Sequence, residues 1–208
     1  MTVQPWYPQI VRLARHRLTI IRSTAAWVMG QDTSSQVFHR ALLEMLGDAE
    51  PIVRRNAALA LVRFHDAAGR AELVGTLLPY RIRATVDGTV SIQSQTGQSV
   101  GSGALLARIT RQRGSEAEIR APFPGQVEGT PQMTGSRVAA GDPVVALTAD
   151  SQQIWEALRG LYLVGRPEDL GDVERYQRSL AGAPERLQQQ AALTARAIRS
   201  RAEQNPIH

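Results

Sequence analysis

The chain has 208 residues, of which 43% are hydrophobic, and a formal net charge of +5, so it can bury one large or two small ordinary cores. All 24 basic residues are arginine, and neither lysine nor cysteine occurs. Schiff-base catalysis, attachment of biotin or lipoate to lysine, disulfides, thiolate metal sites and cysteine nucleophiles are therefore excluded.

The positive charge is spread along the chain, and no segment forms a basic arm of the kind that grips nucleic acid. No apolar run approaches the ~20 residues that a membrane-spanning helix needs. Arg12, Arg15 and Arg17 stand where a secretory signal would have its apolar core. We therefore expect a cytoplasmic protein if Met1 is the native start, and a periplasmic one if it is not.

Residues 1–79 carry apolar side chains at three- and four-residue steps, which predicts amphipathic helices arranged as two antiparallel hairpins in series. Residues 30–35 separate the first two helices, and Pro51 begins the third. A motif recurs at a spacing of 32 residues, a period typical of helical repeats. Its two copies are Ile21-Arg22-x-x-Ala25-Ala26 and Val53-Arg54-x-x-Ala57-Ala58.

These residues resemble HEAT repeats of the short bacterial type, in which an acidic residue in the turn precedes Val-Arg and an alanine pair. Asp48 stands in the place of that acidic residue. The resemblance implies an α-helical HEAT-like solenoid. The alternative that the pattern leaves open is an ordinary helical bundle with alanine-rich seams.

Residues 80–150 are rich in glycine and β-branched residues at short periods, which predicts a β-domain. Its sequence is also duplicated, because Gly97-x-x-Val100-x-x-Gly103 returns as Gly135-x-x-Val138-x-x-Gly141. The duplication resembles the two halves of the biotinyl/lipoyl-like barrel-sandwich. Residues 119–148 look especially like the second half found in biotin carriers and in the periplasmic adaptor (membrane-fusion) proteins of export pumps.

Carrier domains of that family modify a lysine at the tip of the hairpin between the halves, and the family spacing puts this position at Gly114. A swinging-arm carrier is therefore excluded, and we expect no cofactor. Arg111 and Arg113 flank the tip, where they either contact an acidic partner or are simply solvated.

Residues 151–208 return to the helical period, and Leu187-Gln188-x-x-Ala191-Ala192 repeats the earlier motif with glutamine in the arginine position. The predicted fold class is thus an α+β multidomain protein. HEAT-like repeats occupy residues 1–79 and 151–208, and an all-β barrel-sandwich is inserted at residues 80–150.

No catalytic constellation is evident. The four histidines lack metal-ligand spacing, and no serine lies in a Gly-x-Ser-x-Gly elbow, so we expect neither a metal site nor enzymatic activity. Asp48 and Glu50, like Glu168 and Asp169, stand at turns that begin helices, where we expect them to complement the helix dipole and cap free amides. Trp27 and Trp155 are expected in the core.

Besides Arg111 and Arg113, the candidate partner-binding residues lie in two places. Trp6 and Tyr7 precede the first helix as a docking element, and Arg22, Arg54 and Arg55 could line one helical face. If the arginines converge, an acidic protein, lipid headgroups or phosphate could bind there; if they scatter, they only keep the protein in solution.

The sequence therefore favours a non-catalytic scaffold or adaptor subunit that assembles with one or more proteins in a larger complex, with the β-domain as an unmodified binding module. Peripheral membrane association stays open, and nucleic acid is not the expected partner. The alternatives are a periplasmic adaptor-like component of a membrane export system, an arginine-mediated nucleic-acid-binding helical repeat, and an activity like that of the phycobilin lyases, which some bacterial HEAT-like proteins resemble.

Overall fold

A computed structural model of the chain describes residues 5–112, 114–177 and 184–204. The protein is of the α+β class and divides into two compact units. One unit comprises Met1–Leu77 with Gln152–His208, and the other comprises Leu78–Ser151. They are called here the helical unit and the β unit.

The helical unit takes its helices from both ends of the chain. Before the β unit they are α1 (Tyr7–Leu13), α2 (Thr19–Met29), α3 (Gln36–Met45), α4 (Pro51–Arg63) and α5 (Arg70–Thr76). After it they are α6 (Ser151–Val164), a 3-10 turn (Pro167–Asp169), α7 (Leu170–Gln177) and α8 (Glu185–Gln204). Local signals explain two of these starts, since the Ser35 hydroxyl accepts a hydrogen bond from Phe38 N and Pro51 occupies the first turn of α4.

The repeated alanine pairs lie in the core of the helical unit. Ala26, Ala57 and Ala58 are fully buried, and Ala25 nearly so. Helix α2 packs against α4, and larger side chains such as Phe38 fill the space beside this contact. Small residues are required here because they let the two helix backbones approach closely.

Aspartates in three of the turns are each bound by a side chain from an earlier helix. The pairs are Tyr7–Asp32, Arg22–Asp48 and His39–Asp66. Each pair joins a helix to the turn that follows the next helix. Each aspartate also accepts a hydrogen bond from the backbone N–H two residues later, which fixes the turn locally.

The β unit contains two four-stranded antiparallel sheets. The strands are β1 (Tyr80–Arg83), β2 (Gly88–Ile92), β3 (Ser99–Val100), β4 (Leu105–Thr110), β5 (Glu116–Arg120), β6 (Gly125–Gly129), β7 (Arg137–Val138) and β8 (Pro143–Ala149). One sheet has the order β1-β8-β6-β3 and the other β5-β4-β2-β7. Each sheet thus combines strands from both copies of the duplicated sequence.

The duplicated glycines have a structural reason in the β unit. Gly97, Gly103, Gly135 and Gly141 all have φ between +80° and +95°, a region that favours glycine. A side chain on Gly125 would meet the Thr148 carbonyl of the neighbouring strand at 2.2 Å. The motif therefore marks turns and close strand contacts.

The predicted fold class, a HEAT-like solenoid with an inserted barrel-sandwich, is wrong. In the described part of the chain, α1 packs against both α2 and α3, and α2 packs against α3 and α4, so these helices surround a common core. A solenoid would instead stack units that contact only their neighbours. No described strand of one sheet is hydrogen-bonded to a described strand of the other, so these eight strands form no closed barrel.

Candidate partner-binding groove

Two of the arginines that were predicted to bind a partner instead donate hydrogen bonds to residues within the helical unit. Arg22 donates from Nε and Nη2 to the two carboxylate oxygens of Asp48, at 2.7 and 2.9 Å. Arg54 donates from Nε to Glu72 Oε1 at 2.9 Å and from Nη1 to the Asp48 carbonyl at 2.8 Å. The Nη1 group of Arg22 binds the carbonyl six residues earlier in the same way. Arg22 and Arg54 thus each hydrogen-bond to the turn that precedes their own helix.

Asp48 lies at the centre of this arrangement. Burial by itself raises the pKa of its carboxyl, but the hydrogen bonds from Arg22 and from Glu50 N, with the charges of Arg22 and Arg54, lower the pKa below the ordinary value of 3.8. The Asp48 side chain is only 12% exposed, so this pair is screened little by solvent. The Asp48 carboxylate therefore has a structural role: it fixes the turn before α4, although the N-cap of that helix is Glu50 and has no side-chain capping bond.

The remaining helical candidates are placed differently from one another. Arg55 is buried and donates from Nη1 to Gln153 Oε1 at 3.1 Å, which links α4 to α6. Tyr7 donates to the Asp32 carboxylate, which raises the pKa of Tyr7 and lowers that of Asp32. Trp6 is 54% exposed. The structure does not bring these side chains together with the other candidates in one site.

The predicted tip of the β unit is a tight turn between β4 and β5. Gly114 has φ +79° and donates its N–H to the Arg111 carbonyl at 2.9 Å. Arg111 is exposed and lines an open hollow of about 1040 Å³ together with Arg137 and Gln112. Arg113 lies outside the described residues.

A groove in the helical unit brings together side chains that the sequence did not single out. Its volume is about 370 Å³. Its lining comes from α2, α4 and α6, with two residues just after α2, and consists of Trp27, Gly30, Gln31, Asn56, Leu59, Ala60, Val62, Arg63, Glu156, Arg159, Gly160 and Leu163. Trp27 and Leu163 are both more than half exposed, so the groove presents large apolar side chains to solvent.

Trp27 was expected in the core, and this prediction is wrong. Helix α2 buries Ser23, Ala25, Ala26 and Met29, whereas the Trp27 side chain is 61% exposed. Trp155, which was also expected in the core, is partly exposed, with the guanidinium carbons of Arg186 and Arg159 at 3.7 and 4.7 Å from its ring centre. In the sequence, the pattern of an aromatic residue among apolar neighbours did not show whether that residue lies in the core or is partly exposed.

Two helices contribute to the groove at matching spacings. Besides Val62, the lining positions of α4 are 56, 59, 60 and 63, and those of α6 are 156, 159, 160 and 163. Both sets follow the i, i+3, i+4, i+7 pattern of a single helix face. In each set the i+4 residue is small, Ala60 or Gly160. The i+3 and i+7 residues are Leu59 and Arg63 in α4, and they are Arg159 and Leu163 in α6. This pattern was the signal in the sequence that could have identified the groove.

Charge in the groove is mainly positive. Arg63 and Arg159 are exposed, and neither forms a salt bridge within the described part of the chain. Glu156 is the acidic residue of the lining, and its carboxylate accepts a hydrogen bond from Gln152 Nε2 at 2.7 Å. The arrangement suits a ligand that is apolar on one side and carries carboxylates.

The structure offers two further observations about the described residues. They include no group of three or more histidine, aspartate or glutamate side chains that could hold a metal ion. None of their helices combines the length and the apolar character needed to cross a membrane.

Comparison with known proteins gives little similarity. No family model and no curated protein matches the chain. Among solved structures, it is similar to a single-chain, multi-domain long-chain acyl-CoA carboxylase at 18% identity and a TM-score of 0.33. The match covers 48% of this chain and 10% of the carboxylase, so this chain spans a small part of that protein's length. A likeness at this level carries no argument about fold or function.

Proposed function

We propose that the protein is a non-catalytic adaptor that assembles with another protein through the groove of its helical unit. The observation that carries this proposal is the exposure of Trp27 and Leu163 in a groove whose two arginines form no salt bridge with any described residue. Tryptophan and arginine are the residues most enriched at the energetic centres of protein interfaces. The absence of lysine and cysteine from the sequence removes several catalytic chemistries and agrees with a binding role.

Binding of nucleic acid receives less support from the same geometry. Arg22, Arg54 and Arg70 all pair with carboxylates inside the helical unit. Phosphate backbones are bound by arginines whose charge is available to release counterions. An apolar groove with two available arginines suits a protein partner better.

Site-specific photocrosslinking in cells of the native source tests the proposal. A photoreactive phenylalanine analogue replaces Leu163 in the groove or, as a matched control, Leu193, which is equally exposed on α8. We expect the analogue at position 163 to give a discrete heavier species containing a second protein, which is absent with the analogue at position 193. A chain that stays uncrosslinked at both positions, or crosslinks equally at both, would contradict the proposal.

A further inference from the structure

We infer that the partner of this groove is an acidic amphipathic α-helix of another protein. The inference rests on the proposed function and adds to it the chemistry of the bound segment. It depends on the shape of the groove, on the apolar side chains at its edges, and on the sign of its charge.

The dimensions of the groove suit about two turns of a helix. Positions 56–63 of α4 and 156–163 of α6 each span seven residue steps, which is about 10 Å at the rise of an α-helix. Ala60 and Gly160 are buried small residues of the lining, while Trp27 and Leu163 are more than half exposed. A helix that lies in such a groove contacts it through residues at i, i+3, i+4 and i+7.

The charge of the groove selects the polar residues of the partner. Arg63 and Arg159 are exposed and form no salt bridge within the described residues, so each can receive a carboxylate. They come from different helices, α4 and α6. Carboxylates flanking the apolar face of the bound helix can therefore meet both. A basic helix would place like charges opposite them, which is costly at an interface.

A panel of three labelled peptides of about 16 residues, long enough to form helix, tests this inference with the full chain. The first has a leucine face flanked by glutamates, the second has the same face flanked by arginines, and the third contains the residues of the first in an order without an apolar face. Fluorescence anisotropy gives their dissociation constants. We expect the first peptide to bind at least ~10-fold more tightly than the other two.

Four variants locate the site. Trp27→Ala should weaken binding of the acidic amphipathic peptide by at least ~10-fold, whereas Leu193→Ala, at an exposed position of α8 outside the groove, should leave it unchanged. The double substitution Arg63→Glu with Arg159→Glu should reverse the preference in favour of the basic peptide. Arg196→Glu, on the exposed side of α8, is its matched control. All these side chains are exposed, and circular dichroism verifies that each variant is folded.

The results separate this inference from the proposed function. The inference of an acidic helix would be overturned if the acidic amphipathic peptide bound no more tightly than the basic peptide or the third peptide, or if no peptide bound. It would also be overturned if the double substitution did not reverse the charge preference. A crosslinked partner at position 163 would leave the adaptor proposal intact in all of those cases. A peptide preference without any crosslinked partner would instead count against the adaptor proposal alone.

Discussion

At the scale of single residues, Asp48 shows how one carboxylate holds several segments. Its two oxygens bind Arg22, one of them also accepts a hydrogen bond from Glu50 N in the turn before α4, and its backbone carbonyl accepts a hydrogen bond from Arg54. Removing one partner of a buried ion pair leaves the other charge uncompensated. The contribution of Asp48 to stability therefore depends on its ionisation.

Substitution Asp48→Asn should lower the free energy of unfolding at pH 7 by about 2 kcal/mol, because Arg22 loses its carboxylate. Folding lowers the pKa of Asp48, so the ionised form stabilises the native state. That stabilisation is complete above the unfolded pKa of about 3.9 and is lost as the pH falls through the lower folded value. Urea unfolding of both proteins between pH 7 and pH 3 measures the difference.

The control for this experiment is Glu44→Gln. Glu44 pairs with Arg15 on the surface, where the two side chains are 65% and 80% exposed, so its loss should cost less than ~1 kcal/mol. If the difference between wild type and Asp48→Asn did not change down to pH 3, the described role of the carboxylate would be wrong.

The repeated arginines also show where the sequence was informative at this scale. The motif correctly marked Arg22 and Arg54 as equivalent residues, since each binds the carbonyl six residues before it. It did not show that their guanidinium groups turn back into the fold, because the direction of a long side chain is set by acceptors outside its own helix. Arg63 and Arg159 belong to no repeat, and that they line the same groove depends on where α4 and α6 lie in the helical unit.

At the scale of elements, two glycines in and next to α5 differ in the space that is available for a side chain. A side chain on Gly69, just before the helix, would lie 2.5 Å from Ala58 Cα in α4. Gly75 lies inside α5, is exposed, and has no atom within 4 Å of an added side chain. The first glycine permits the close packing of α5 on α4, while the second only costs helix stability.

We therefore expect opposite effects from the same substitution. Gly69→Ala should destabilise the protein by about 1–3 kcal/mol, because the new methyl group meets backbone that must move. Gly75→Ala should stabilise it by about 0.5–1 kcal/mol through helix propensity. Thermal unfolding of the two variants and the wild type measures the sign of the stability change for each substitution. Equal effects of the two substitutions would contradict this packing of α5 on α4.

The elements themselves followed from local patterns in the sequence, while their assembly did not. Three- and four-residue periods predicted helices in residues 1–79 and 151–208, and glycine-rich alternation predicted strands in residues 80–150; the structure has both. Local periods do not encode which helices share a core or whether sheets close. The predicted solenoid and barrel-sandwich were wrong because they took that assembly from the resemblance.

At the scale of the whole molecule, the chain leaves the helical unit once and returns to it once. The first and last strands of the β unit, β1 and β8, are paired neighbours, with Tyr80 opposite Leu147. The two ends of the β unit are therefore close to each other. Its own core includes Leu106, Phe123 and Val127, all fully buried. These are properties of a segment that can fold by itself.

We expect a fragment of residues 78–151 to fold without the helical unit. A domain of this size should have a small free energy of unfolding, about 3–5 kcal/mol. Far-UV circular dichroism should show β structure, and a ¹H–¹⁵N correlation spectrum should show dispersed amide signals. The matched control is the same fragment with Gly125→Val, whose side chain would collide with the Thr148 carbonyl and separate β6 from β8. A disordered spectrum for the unsubstituted fragment, or an equally ordered one for the variant, would contradict this division of the molecule.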